Sequence, residues 1–273
     1  MLIIGESLNG TIPSVAQAIA ARDQDRIVAL ARRQVESGAQ MLDVNAGGAP
    51  GRDECADLLW LVSTVQAVVQ VPLVLDSHNA EALRHALGIY QGPPPILSSA
   101  SLEEGRLEAL LGLAVEHGCG LVALCMTGHG IPYEPLERVS IAAQLVEQAM
   151  AAGLKPEDLY LDPLVMTLAS DYHAGERLLL ALRLIREQFP AVSTICGVSN
   201  VGFEMPQRRL LNRTFVAMLI ALGVEALMVD VRDEELMATL FASTALTGRD
   251  EWCRAYLKAY RLGKLGAASG AKK

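Results

Sequence analysis

The sequence predicts an alternating α/β protein whose strands close into a (β/α)8 TIM barrel. Three observations predict it. Short apolar runs of strand length recur along the whole chain, stretches of helical period fill the gaps between them, and several of those stretches end in a glycine just before the next run. A doubly wound open sheet is the competing arrangement. Its dinucleotide-binding form is disfavoured because no GxGxxG turn follows the first run.

The runs lie at 2–5, 40–44, 72–75, 95–98, 120–126, 159–162, 194–198 and 225–229. Between the fifth and sixth, Val139, Ala142, Val146, Ala149 and Met150 recur at helical spacing and stop at Gly153. Segments of the same kind cover 23–38, 52–69, 102–118, 176–189, 209–223 and 233–247, and Gly38, Gly118 and Gly223 close three of them. No linker-like tract interrupts the pattern, so residues 1–262 are expected to form one barrel and 263–273 a flexible C-terminal tail.

The 273 residues are 51% apolar and 20% charged, enough to bury a large core without disulfides or a structural metal. The net charge of −8 and the confinement of basic excess to the end of the chain argue against nucleic acid, whose phosphates require clustered cations. The cysteines are an odd set of five without a CxxC, read as reduced thiols. No apolar run reaches the length of a membrane span, and the N-terminus meets Glu6 without a basic region, so a soluble cytoplasmic protein is expected.

Polar residues gather just after the runs, where a barrel carries its active site. Glu6 and Asn9 follow the first, Asp43 and Asn45 end the second, and Asp76, Ser77, His78 and Asn79 follow the third. Ser98 and Ser99 follow the fourth, Thr127 the fifth, Asp162 the sixth, Ser199 and Asn200 the seventh, and Asp230 the eighth. Such a lining suits a ligand that donates hydrogen bonds and carries little negative charge. Asp and Asn after a strand are also ordinary helix caps, and that reading stands beside the functional one. It is strongest for Asp230, which opens an acidic stretch, and weakest for Asp162, which Pro163 follows. Asp43 and Asn45 either cap or bind across the mouth. The histidines share no ligand spacing and no GxSxG occurs, so neither a bound metal nor a serine nucleophile is expected.

The segments Met1–Glu6 with Asn9, Leu42-Asp43-Val44-Asn45, Leu75-Asp76-Ser77 with Asn79, Leu159-Tyr160-Leu161-Asp162-Pro163-Leu164, Gly197-Val198-Ser199-Asn200-Val201 and Leu211-Asn212-Arg213-Thr214-Phe215 resemble the methyltetrahydrofolate:corrinoid protein methyltransferases. These belong to the pterin-binding barrels, with dihydropteroate synthase and the folate module of cobalamin-dependent methionine synthase. The resemblance implies a substrate, methyltetrahydrofolate or tetrahydrofolate, held by Asp76 and Asp162 at its aminopyrimidinone edge. Glu6, Asn9, Ser98, Gly197 and Ser199 complete the pocket, and Arg208 stands near the ligand's tail. The resemblance gives Asn200 the catalytic place beside N5, where its amide makes a hydrogen bond that strengthens as charge develops. It also implies a homodimer.

Ser98 stands where the family commonly has Asn, and Phe203 where it often has a polar residue. No corrinoid-binding DxHxxG occurs, so the cobalamin is expected on a partner protein, either a corrinoid/iron–sulfur protein or the corrinoid component of a demethylase. Either direction of transfer fits, as do folate and other tetrahydropterins. A dihydropteroate synthase would place a Ser-Arg-Lys at the seventh run, where this chain has Ser199-Asn200-Val201. A non-catalytic pterin-binding partner of a larger complex is the alternative from another class. Complete methionine synthesis is not expected of this chain alone, because no zinc site for homocysteine is visible.

Overall fold

A computed structural model describes residues 1–48 and 50–265, and its eight parallel strands pair in chain order until β8 returns to β1. The strands are β1 (Leu2–Asn9), β2 (Met41–Asn45), β3 (Leu73–Asp76), β4 (Ile96–Leu102), β5 (Gly120–Thr127), β6 (Leu159–Asp162), β7 (Ser193–Gly197) and β8 (Ala226–Val229). Every expected run is a strand, and the barrel is closed. The first and fourth runs end short of their strands, because β1 continues through Glu6 to Asn9 and β4 through a second serine to Leu102. Along β1 the register with β2 slips between Gly5 and Leu8. The Ser7 N–H that the slip turns away from the ladder donates to the buried Gln34 Oε1 at 2.9 Å.

The helices are α1 (Pro13–Ala21), α2 (Gln24–Ser37), α3 (Glu54–Gln66), α4 (Ala80–Ile89), α5 (Arg106–His117), α6 (Pro135–Ala151), α7 (Ala174–Gln188), α8 (Arg208–Ala221), α9 (Glu234–Leu246) and α10 (Arg254–Arg261). The seven periodic segments correspond to α2, α3 and α5–α9. The other three are only two to three turns long, too short for a period to stand out. Gly38, Gly118, Gly153 and Gly223 take φ of 115°, 62°, 91° and 89°, the left-handed geometry that closes a helix before the next strand. Of the expected tail, residues 266–273 lie outside the described part, while Lys264 Nζ donates to the Glu36 carbonyl at 2.6 Å at the end of α2.

The strand period of two sorts each side chain either to the helix layer or to the barrel interior. Ile4, Met41, Val74, Ile96, Val122, Ile195 and Ala226 form an apolar cluster, with Leu2, Leu124, Tyr160 and Met228 against it. The alternating residues, among them Leu42, Val44, Leu73, Leu75, Leu97, Leu121 and Leu161, belong to the larger core shared with the helices. Counting two residues up gives Glu6, Asp43, Asp76, Ser98, Asp162 from Tyr160, and Gly197 on six of the strands, while β5 and β8 stay apolar with Leu124 and Met228. The interior therefore turns from apolar to acidic within one repeat of the pleat, at the C-terminal ends of the strands. Among the described residues no helix is long and apolar enough to cross a membrane.

Candidate active site

The acidic layer of the barrel mouth is built on the strands, and its electrostatics follow from burial. Register pairs Asn45 with Asp76, and Asn45 Nδ2 donates to Asp76 Oδ2 at 2.7 Å while its Oδ1 accepts from Gly47 N at 2.7 Å. Asp43, one pleat below, is 2% exposed, and its Oδ1 has no hydrogen-bond partner among the described residues. Burial pushes the Asp43 carboxyl well above the usual range, and the nearby charges of Asp76 and Glu6 add to the effect. Asp76 is also raised by burial, against the opposing influence of Asn45, His78 and Arg106.

Glu6 is raised by burial and by Asp230, while the Ser199 hydroxyl donates to it. Burial lifts Asp162 to about 6, although Leu164 N donates to its Oδ1 at 2.8 Å and Arg138 is near. Asp43 is raised further by the charges of Asp76 and Glu6, so these carboxyls resist full ionisation together, while Asp162 is raised by its own burial. A ligand that brings N–H donors relieves that cost.

The rim is built by the turn after β7. A 3₁₀ turn, Val198–Asn200, leaves the Asn200 side chain exposed. A Cβ on Gly197 would stand 3.5 Å from Asn200 Nδ2. Arg208, at the start of α8, donates to the Ser199 carbonyl at 3.1 Å and lies 5.9 Å from the centre of the Phe203 ring. A cleft of about 630 Å³ brings together Glu6, Asn9, Ser199, Asn200 and Arg208, with Asp230 on its wall. Asp76, Ser98 and Asp162 do not line it. They stand on β3, β4 and β6 around the interior, with Asp43 on β2 between them and Glu6.

Local structure accounts for several of the other polar residues. Asn79 caps α4, accepting from Glu81 N and Ala82 N, and Asp233 caps α9. Asn9 Oδ1 accepts from Thr11 N at 2.9 Å and Thr11 Oγ1 at 2.7 Å, so half of its amide is engaged in a turn. Arg213 of the Asn-Arg-Thr-Phe segment ties α8 to Asp233 and Glu235. Asp230 differs from the helix-end expectation. Its carboxyl faces the cleft, accepts the Arg232 fork at 2.8 and 3.0 Å, and is held low by that fork despite the opposing effect of burial. Asp162 makes a short turn with Leu164, and Pro163 keeps it out of any helix.

Four of the five thiols have their ionisation disfavoured, and the exposed Cys253 lies between the last two helices, away from the C-terminal strand ends. Burial raises Cys119 to about 11, and raises Cys125 and Cys196 further. Cys55 lies 3.2 Å from His85 Nδ1 on the outside of the barrel, and partial burial with neighbouring acids raises it as well.

Asp43, which the sequence left as either a cap or a residue binding across the mouth, lies in the barrel interior: it follows the interior Met41 by two and so shares a face with Asp76 in the next strand. Two residues of the site were not singled out by sequence reasoning. Arg106 and Arg138, which stand behind the acidic layer, are lone arginines in helices and carry no local signal.

Comparison with known proteins adds a family. A model of pterin-binding enzymes matches residues 5–230. A methylcorrinoid:tetrahydrofolate methyltransferase from Eubacterium limosum is 35% identical over 268 residues, which is 97% of this chain and 98% of that protein. The methionine synthase of Mycobacterium tuberculosis is 27% identical over 84% of this chain, a region that makes up 20% of the synthase. Among solved structures, the dihydropteroate synthase from Xanthomonas albilineans in complex with 7,8-dihydropteroate superposes with a TM-score of 0.67 at 19% identity, over 92% of this chain and 93% of that one. At that identity the likeness is one of fold.

Proposed function

The chain belongs to the pterin-binding enzymes, in the methyltransferase branch of that family, and from this premise we propose that it transfers a methyl group between the cobalt of a separate corrinoid protein and N5 of tetrahydrofolate, with tetrahydrofolate as the acceptor. The direction follows the name of the Eubacterium limosum relative, which matches this chain along almost its whole length. The observation that carries the reading is the desolvated carboxyl layer of Glu6, Asp43, Asp76 and Asp162 above an apolar plug.

The aminopyrimidinone edge of a pterin presents parallel N–H donors, and a carboxylate accepts two of them at once. Asp76 and Asp162 fill that role, and the unpartnered Asp43 Oδ1 offers a further acceptor. The cleft of about 630 Å³ on the Glu6, Asn200 and Arg208 side of the mouth lies within the ~300–1,000 Å³ range of small-molecule sites. The pterin spans from that cleft to the carboxyls of Asp76 and Asp162 outside its lining. Gly197 leaves the ring space beside Asn200, Ser98 makes a shorter contact than the family's Asn, and Ser199 and Glu6 brace the turn that carries Asn200. Arg208 extends toward the benzoyl-glutamate tail.

The corrinoid supplies the cobalt that holds the methyl group on the partner's side of the exchange. This chain binds the pterin and orients the N5 lone pair toward the methyl group at the open rim. As the N5–carbon bond forms, the electron pair of the broken cobalt–carbon bond stays with the partner's cobalt. The Asn200 amide hydrogen-bonds N5 while positive charge develops there, and N5 then gives its proton to solvent. Because the same transition state serves both directions, the hydrogen bond counts in either. Membership of the family makes a homodimer part of this reading.

The test is single-turnover transfer followed at the cobalamin absorbance. Asn200→Ala is expected to lower kcat and kcat/KM together by roughly 10²–10³-fold, with a smaller change in pterin affinity. Wild-type rate and affinity in that variant would remove Asn200 from the mechanism. A wild-type protein that binds tetrahydrofolate but transfers no methyl group would make the chain a pterin-binding partner instead.

A further inference from the structure

We propose that Arg106 and Arg138 are a matched pair of positioning residues that hold Asp76 and Asp162 in register with the pterin edge. Each guanidinium spends its hydrogen bonds on backbone carbonyls at the mouth ends of two neighbouring strands or in the loops that follow them. Arg106 Nε donates to the Ser99 carbonyl at 2.7 Å, Nη1 to that of His78 at 2.5 Å and Nη2 to that of Ser77 at 3.0 Å. It therefore ties the end of β3 to β4. Arg138 Nε donates to the Pro132 carbonyl at 2.8 Å, and Nη1 to those of Pro163 and Leu164 at 2.9 and 3.0 Å. It ties the loop after β5 to the loop after β6.

The two reach in opposite directions about the barrel: Arg106, on the helix after β4, grips the strand end before its own, and Arg138, on the helix after β5, grips the strand end after its own. Arg138 is 2% exposed, and a buried guanidinium bonded only to carbonyls is costly unless its charge or its reach is used. Both uses are present. The carbonyls that Arg138 grips belong to Pro163 and Leu164, and Leu164 N is the donor to Asp162. The carbonyls that Arg106 grips immediately follow Asp76.

The charge surroundings agree with that assignment. Around Asp162 the facing groups are Arg138 from α6 and the thiols of Cys125 from β5 and Cys196 from β7. Around Asp76 they are Asp43 and Asn45 from β2, Glu54 from α3, His78 and Arg106. Each arginine draws the carboxyl it supports back down from the value that burial alone would give. This proposal deepens the methyltransferase reading and rests on it, because the pterin edge is what the two carboxylates are aimed at.

The test is calorimetric binding of tetrahydrofolate across pH 5.5–8 to the full chain and its variants. Arg138→Lys and Arg106→Lys keep the cation but cannot span two loops, and are expected to bind about tenfold more weakly with the pH midpoint in place. Arg138→Gln and Arg106→Gln lose the cation as well. In them the midpoint below which binding fails moves to higher pH, because the carboxyl protonates more readily. Under saturating pterin, kcat should change far less than affinity, since neither arginine touches N5.

Wild-type affinity in the Lys variants, or an unmoved midpoint in folded Gln variants, would overturn the proposal. Lys variants that do not fold would make the arginines structural and overturn it too. Failure of the methyltransferase reading looks different: the wild-type chain itself would then show no binding of tetrahydrofolate, or Asp76→Ala and Asp162→Ala would bind it as tightly as wild type.

Discussion

At the scale of single residues, the site is organised by carboxyls kept in places that penalise their charge. Asp162, lifted to about 6 by burial, makes the unliganded protein less stable as pH rises. Its folded value lies above the ordinary 3.8, so between about pH 4 and 6 the folded state holds the extra proton, and stability falls with increasing pH across that window. Glu6, Asp43 and Asp76 act in the same sense. Asp171, Asp230 and Asp250 are depressed and act oppositely, but below about pH 4. Asp162→Asn is therefore expected to stabilise the unliganded chain at pH 7.5 by about 1–3 kcal/mol and to flatten its stability profile between pH 4 and 6. The same change should weaken pterin binding by about 1.5–3 kcal/mol, since a carboxylate acceptor is lost. Urea titrations at several pH values, together with calorimetry, measure both. A variant less stable than wild type at pH 7.5 would contradict the electrostatic account.

At the scale of elements, the mouth depends on two loops that touch backbone to backbone. A Cβ on Gly10 would lie 2.2 Å from the Ala46 carbonyl oxygen, and Gly10 N already donates to the Asn45 carbonyl at 2.8 Å. Glycine at 10 lets the end of β1 lie directly on the end of β2, and so fixes Glu6 and Asn9 relative to Asp43 and Asn45. Gly10→Ala must push the loops apart. The expected cost is about 1–3 kcal/mol of stability, as for overpacking, with weaker pterin binding besides. A melting curve and affinity equal to wild type would show that the contact relaxes without consequence. The slip in β1, held by Gln34 and Ser7, serves the same purpose of setting where Glu6 and Ser7 face.

At the scale of the whole molecule, the proposed corrinoid partner has to meet the barrel at its mouth. Tyr133 and Tyr172, on the loops after β5 and β6, are 61% and 82% exposed beside that mouth. Tyr133→Asp with Tyr172→Asp is expected to slow methyl exchange with a protein-borne corrinoid at least tenfold, by placing uncompensated charge in a contact surface, while exchange with free cobalamin stays near wild type. Equal slowing with both donors would mean that the loops act on the pocket rather than on docking. The expected homodimer is a separate claim, and light scattering at working concentration decides it. A monomer would remove it without touching the chemistry.

The sequence by itself determined the barrel, its strand order of appearance and the side of the barrel on which polar groups collect. Those follow from local periodicity, from glycines such as Gly38 and Gly153 that end helices, and from the switch of residue type at strand ends. Motifs brought Asp76, Asp162 and Asn200 to attention, but whether a strand-end residue caps a helix or faces the pocket was not readable from its neighbours. Asn79 became a cap, Asn9 gave half its amide to Thr11, and Asp230 turned out to face the cleft. Closure of the barrel decided these cases, because it places residues thirty and more positions apart on one inner surface and removes water from some carboxyls while leaving others wet. The unpartnered oxygen of Asp43 and the carbonyl-bound arginines Arg106 and Arg138 arise only there. Their character depends on distances between strands and loops that no local pattern in the chain records.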